Sequence, residues 1–287
     1  MSLPEFENMV SVIIPTYNRQ EELSSAIESV LLQTYQNFEI VVCDDGSTDE
    51  SHEAVTRFND NRVRWIPGEH FGRPAIPRNN GIREARGDWV AFLDDDDVWL
   101  PSQLEASLRI IGNQAGDICA VCSNAFVCNT STGSVNTMFP VDQGHKIISV
   151  LELIQSNCII QSSVLVNKKT LAIAGFFPDK LKFRAYEDYA YWLRVASLGN
   201  FIYNSNPLIV YTDNPSVSIR SIKSNFYVKK TYVILNFLYW SYGFSKLTFV
   251  NNVALVIRVH YKKFVGIFRR KYYEFRALII KIVRLIH

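Results

Sequence analysis

Four consecutive aspartates, Asp94, Asp95, Asp96 and Asp97, follow the apolar run Trp89–Leu93 and precede Val98-Trp99. Carboxylates this close repel one another and raise each other's pKa values. A strand ending in such a cluster needs a cation, a set of donors or open water. A hard divalent ion that shares its shell with phosphate oxygens meets that need. Taken alone, the run reads first as a solvated acidic loop, and its surroundings reverse that preference. Four further clusters carry groups able to do chemistry: Pro15-Thr16-Tyr17-Asn18-Arg19, Asp44-Asp45-Gly46-Ser47, the pair Gly72-Arg73-Pro74 and Pro77-Arg78-Asn79, and Tyr186-Glu187-Asp188-Tyr189. The two guanidinium groups suit bidentate contact with phosphate, and Arg78 serves equally as the partner of an aspartate. Asp44 and Asp45 are able to cap a helix, and Glu187 and Asp188 to complement a helix dipole.

The elements that must position these groups follow from hydrophobic periodicity. Val10–Pro15 and Phe38–Cys43 read as buried strands, with a helix over Glu21–Gln33 between them. A helix over Glu50–Phe58 and a short strand over Arg62–Ile66 come next, then a loop rich in Gly and Pro. A helix near Arg78–Ala85 leads into the strand that ends at Asp94. Strands alternating with helices predict an α/β fold with a doubly wound, mostly parallel central sheet flanked by helices. In such sheets ligands bind beyond the carboxyl ends of the strands. Three of the polar clusters lie at such ends and so converge on one edge. Past Asp117 the pattern loosens into strands over Ile118–Val127 and Ile159–Val166 and a helix over Tyr186–Leu198.

These segments together resemble glycosyltransferase family 2. The resemblance is carried by Val10–Arg19, Ser29–Tyr35, Phe38–Asp49 and Ala91–Trp99, in the family's order, and it extends over about residues 10–199. It implies a GT-A fold, Rossmann-like, and transfer of a sugar from a nucleotide diphosphate donor, most similar to bacterial polysaccharide and O-antigen enzymes. Carried over, Asp96 becomes the ligand of Mn²⁺ or Mg²⁺, with the fourfold run leaving that assignment open by one place. Asp94 and Asp95 would contact the ribose or support the metal through water. Asp44 and Asp45 would read the base, flanked by Pro15, Thr16, Tyr17 and Arg19, and Arg73 and Arg78 would meet the donor phosphates. Asp188 would be the catalytic base of an inverting transfer, with Glu187 beside it orienting the acceptor. Phe176-Phe177 after Gly175, and Ala190 where a second acid often stands, depart from the family pattern and leave the acceptor open.

Composition bounds the remainder. A hydrophobic content of 48% and a charged content of 20% describe a globular chain. The five cysteines are odd in number and sit in apolar runs, so packing is expected and not a disulfide framework. From Phe226 to His287 twelve basic residues face one acid, Glu274, although the whole chain has a net charge of only +2. The expected organisation is therefore a catalytic domain over 1–225, with a nucleotide-sugar half to about 115 and an acceptor half beyond it. A basic helical tail over 226–287 follows. Apolar residues from Tyr261 to Ile286 fall at helical spacing among lysines and arginines, which predicts a helix lying on an anionic membrane. The alternative is a pair of helices packed on the catalytic domain or on a partner subunit. Nucleic acid is not an expected partner, because the acidic body would repel it. Met1–Met9 lacks the pattern of a signal peptide, so the expected location is cytoplasmic, peripheral on the inner face of the membrane. The leading reading is an inverting hexosyltransferase using a UDP-sugar and a lipid-linked saccharide acceptor in cell-surface polysaccharide synthesis. Its rivals are a haloacid-dehalogenase-type phosphotransferase and a catalytically silent nucleotide-sugar-binding module.

Overall fold

The computed structural model describes residues 8–113, 116–130, 132–142, 144–213, 226–244 and 250–257. Its first strands are β1 (Val10–Thr16), β2 (Phe38–Asp44), β3 (Val63–Ile66) and β4 (Trp89–Phe92). They are parallel and lie in the order β3-β2-β1-β4. The connecting helices are α1 (Gln20–Leu31), α2 (Ser51–Arg57) and α3 (Ala75–Glu84). Side chains alternate across the strands, as the period of two requires. Val10, Val12 and Ile14 join Leu23, Ile27 and Val30 of α1 in one core. Ile13, Val41 and Cys43 join Ala75 of α3 in the core on the other face.

Helix α3 starts earlier than its periodicity suggests. Pro74 is its N-cap and Pro77 falls in its first turn, where a missing N–H breaks no helical bond. Gly81 lets α3 lie on β1, since a Cβ there would stand 2.4 Å from Cγ2 of Ile13.

Beyond β4 the sheet becomes mixed. After β5 (Val98–Trp99) and α4 (Gln103–Asn113) come β6 (Ile118–Asn129), β7 (Val135–Thr137) and β8 (His145–Ile148). Then follow α5 (Val150–Gln155), β9 (Leu165–Asn167), α6 (Lys168–Ala174), α7 (Glu187–Ala196) and β10 (Asn200–Asp213). Strand β9 is antiparallel to both β4 and β6, whereas β6 and β10 are parallel. The expected strand over Ile159–Val166 is broken by a 3₁₀ turn at Gln161–Ser163, and only its end pairs as β9.

Helix α7 is buried along nearly its whole length. Trp192 meets the rings of Phe92 and Phe177 edge-on, with centroids 5.8 and 5.6 Å away. The Tyr189 hydroxyl donates to the Leu153 carbonyl at 2.5 Å. Helix α8 (Phe226–Phe244) packs on this layer through Val233, Ile234 and Phe237, which belong to the same core as α7. Its packing matches the alternative of a helix against the catalytic domain. The basic amphipathic pattern of Tyr261–Ile286 lies outside the described residues. No described helix is long and apolar enough to cross a membrane. All five cysteines are free thiols, and Cys43, Cys119 and Cys122 are buried.

Candidate active site

The strand order changes direction between β1 and β4, and their register ends at Ile13 opposite Phe92. Past that pair the two chains separate and a crevice opens, the position at which doubly wound sheets bind ligands. Thr16–Arg19 line one wall and Asp94–Asp96 the other, in a cavity of about 600 Å³. That volume is ample for a nucleotide sugar.

The carboxylates leave β4 into fixed partners. Arg19 donates from one nitrogen to Asp95 Oδ1 at 2.8 Å and to Asp96 Oδ2 at 2.7 Å. Thr16 Oγ1 donates to Asp95 Oδ2 at 2.8 Å. Burial, resisted by the charge of Arg19, pushes the Asp95 carboxyl up to about 7. Burial and then the charge of Asp94 raise the Asp96 carboxyl. Asp97 turns away from the cavity: it accepts from Ser162 Oγ and from the Thr212 backbone N–H, and burial raises its carboxyl.

Arg78 spans the site from below. It donates to Asp94 Oδ1 at 2.5 Å and to Glu187 Oε1 at 3.2 Å. Burial alone would lower its pKa, but Asp94 and Glu187 outweigh that and hold the guanidinium charged. This bridge ties the end of β4 to the start of α7, where Asp188 faces the same cavity. Burial and the neighbouring charge of Asp188 raise the Glu187 carboxyl against the pull of Arg78.

At the other end, Asp45 accepts from the backbone N–H groups of Phe71 at 3.2 Å and Gly72 at 2.8 Å. Gly72 has φ +63°, a conformation glycine adopts freely. This loop lays His70 on the Tyr17 ring, with centroids 3.9 Å apart and planes 24° apart. Arg73 donates to the carbonyl of Asp179 at 2.7 Å.

Of the residues singled out in the sequence, Pro15, Thr16, Tyr17, Arg19, Asp45, Arg73, Arg78, Asp94, Asp95, Asp96 and Asp188 line this one cavity. Two are placed differently from expectation. Both oxygens of Asp44 accept from the Ser47 backbone N–H, at 2.9 and 3.0 Å, so Asp44 holds the turn and does not line the wall. Glu187 is the partner of Arg78 and is not among the residues that line the cavity.

The sequence reading missed His70, Gln161, Ser162, Arg184 and Tyr211 as lining residues. Gln161 is 7% exposed, and neither end of its amide has a partner among the described residues. The polar triplet Gln161-Ser162-Ser163 inside the apolar run from Cys158 to Val166 was the available signal, since a buried strand has no use for it.

The profile of Glycosyl transferase family 2 matches residues 11–172. An Escherichia coli relative is named UDP-Glc:alpha-D-GlcNAc-diphosphoundecaprenol beta-1,3-glucosyltransferase WfgD. It is 33% identical over 192 residues, which is 67% of this chain and 71% of the relative. Staphylococcus aureus TarS (residues 1–349), solved with UDP-GlcNAc, superposes with a TM-score of 0.69 at 19% identity, over 87% of this chain and 71% of that one. The mannosyltransferase PcManGT from Pyrobaculum calidifontis, solved with GDP-Man and Mn²⁺, gives 0.53 at 16% identity, over 93% and 82%. With its switch-point cavity and its aspartates at the end of β4, the chain belongs to glycosyl transferase family 2 and has the GT-A fold.

Proposed function

We propose that the protein transfers a hexose, with inversion, from a UDP-sugar to a hydroxyl of a lipid-linked saccharide during cell-surface polysaccharide synthesis. The observation that carries the reading is that Asp94–Asp96 and Asp188 face one cavity, held in register by the Arg78 bridge. The name of the Escherichia coli relative supports the UDP donor and the diphospholipid acceptor. In this reading Tyr17, Asp45 and His70 receive the base, and Arg73 meets the donor diphosphate. Asp188 removes the proton of the acceptor hydroxyl as its oxygen forms a bond to the anomeric carbon. The bond from that carbon to the diphosphate oxygen breaks on the opposite face, and UDP departs with the electron pair.

Asp94–Asp96 supply carboxylate oxygens of the kind a hard divalent ion takes, although among the described residues no group of three or more acidic, histidine or cysteine side chains is already gathered around one point. Asp96, with 38% of its side chain exposed against 28% for Asp94 and 8% for Asp95, is the most open carboxylate and the one assigned to hold it. Its raised pKa marks charge strain that a cation would relieve. When bound, Mn²⁺ or Mg²⁺ would neutralise charge building on the departing diphosphate. The Mn²⁺ in the Pyrobaculum complex supports a divalent ion in this reading.

Asp188→Asn is expected to lower kcat by a factor on the order of 10²–10⁴ while leaving UDP affinity within about twofold. Turnover of UDP-sugars by wild type and variant, followed as UDP release, tests this. Undiminished turnover in the variant would remove Asp188 as the base. Chelation followed by Mn²⁺ restoration is expected to abolish and recover the activity.

A further inference from the structure

Four guanidinium groups enter the cavity, and two of them are neutralised within the protein. Arg19 is paired with Asp95 and Asp96, and Arg78 with Asp94 and Glu187. Arg73 reaches a carbonyl and is the residue assigned above to the donor diphosphate. Arg184 is left over. No carboxylate pairs with it among the described residues, and its Nε is buried without a partner. A guanidinium that is partly desolvated and lacks a counter-charge favours the arrival of an anion. Its planar fork matches phosphate oxygens.

The backbone carries Arg184 to this place by a specific route. A 3₁₀ turn over Leu181–Phe183 precedes it, and Ala185 follows at φ +68°. That left-handed conformation is unusual for alanine and turns the chain sharply before Glu187 and Asp188 open α7. From α8, Lys229 Nζ donates to the carbonyls of Lys182 at 3.1 Å and Arg184 at 3.2 Å. The loop is therefore anchored by an element outside the cavity, before any ligand arrives. Such pre-organisation lowers the entropic cost of binding.

Arg184 lies four residues ahead of Asp188 in the chain and lines the same cavity. With Arg73 assigned to the donor diphosphate, an anion met by Arg184 beside the proposed base is assigned to the acceptor. We infer that Arg184 is the residue that binds the phosphate of the diphospholipid-linked acceptor proposed above. The inference rests on the reading of Asp188 as the base and of Asp94–Asp96 as the donor anchor.

The test is equilibrium binding to the full chain saturated with UDP and Mn²⁺, so that the donor site is filled. The probes are decyl diphosphate, inorganic pyrophosphate and neutral octyl glucoside. Wild type is expected to bind decyl diphosphate and not octyl glucoside. Arg184→Ala should weaken that binding about tenfold or more, the scale of a lost charge-assisted contact. Arg184→Lys should recover part of it, and UDP affinity should stay unchanged in both variants as the control for folding. Pyrophosphate binding as well as decyl diphosphate would show that the phosphates alone are recognised; weaker binding would show that the alkyl chain contributes, and either agrees with the inference. Absent binding of decyl diphosphate, or equal binding by Arg184→Ala, would overturn it while UDP binding stands. Loss of UDP binding in wild type would overturn the donor reading instead, and the inference with it.

Discussion

Gln161 shows how a single side chain separates function from stability. Its amide is buried at the cavity wall with both ends unpartnered, an arrangement that costs free energy in the unliganded protein. A sugar hydroxyl would satisfy it. Gln161→Leu is expected to leave the melting temperature unchanged or higher, because an unpaired polar group is removed. The same change should raise the KM of one sugar substrate about tenfold, since a site built to hydrogen-bond loses its partner. Thermal melts beside steady-state kinetics check both halves, and a lowered melting temperature with unaltered KM would make Gln161 structural. The aspartates were legible at this scale because four acids after an apolar strand have few uses. Arg184 was not, because nothing local distinguishes an arginine that faces a cavity from one that faces water, and Gln161 was marked only by the polar triplet it shares with Ser162 and Ser163.

Between elements, Glu39 on β2 is the joint to examine. It accepts from Ser11 Oγ on β1 at 2.7 Å, from the Arg86 backbone N–H at 2.7 Å and from Arg64 Nε on β3 at 3.0 Å. Burial alone would raise its pKa, but the bonds from Ser11, Arg86 and Arg64 outweigh burial and hold it below the ordinary glutamate value. A depressed folded-state pKa means that the stabilisation is present above the unfolded value and is lost as pH falls through the folded one. Glu39→Gln should therefore cost about 1–3 kcal/mol near neutrality. The difference from wild type should shrink as the solution is acidified below the usual glutamate range. Urea unfolding of both proteins across pH checks this, and a penalty that stays constant on acidification would contradict it. The first four strands and three helices were readable from alternation and helical spacing alone. The break at Gln161–Ser163 was marked only by its polar triplet, which the apolar flanks on both sides outweighed in the periodicity.

For the whole molecule, α8 is the element that joins the catalytic body to the basic sequence after it. One face is packed on α7, while Leu235, Tyr239 and Tyr242 on the outward side are 56%, 81% and 59% exposed. Aromatic and aliphatic side chains beside a basic segment suit a membrane interface. Replacing Leu235 and Tyr239 by aspartate is expected to weaken sedimentation with phosphatidylglycerol vesicles about tenfold and to leave the melting temperature unchanged, as both are exposed. Equal vesicle binding by the variant, or none by wild type, would remove this face as a membrane contact. By itself the sequence determined the family, the parallel first half of the sheet and the carboxylates at its edge. Each of these is written in local spacing, and spacing is what a linear chain records. Only the tertiary structure decided that Arg78 holds Asp94 while reaching Glu187 across 109 positions of chain, that Asp44 holds a turn while Asp45 faces the cavity, and that no carboxylate among the described residues pairs with Arg184. Pairing and desolvation depend on distances in space, and the packing of α7 against β4 sets those distances.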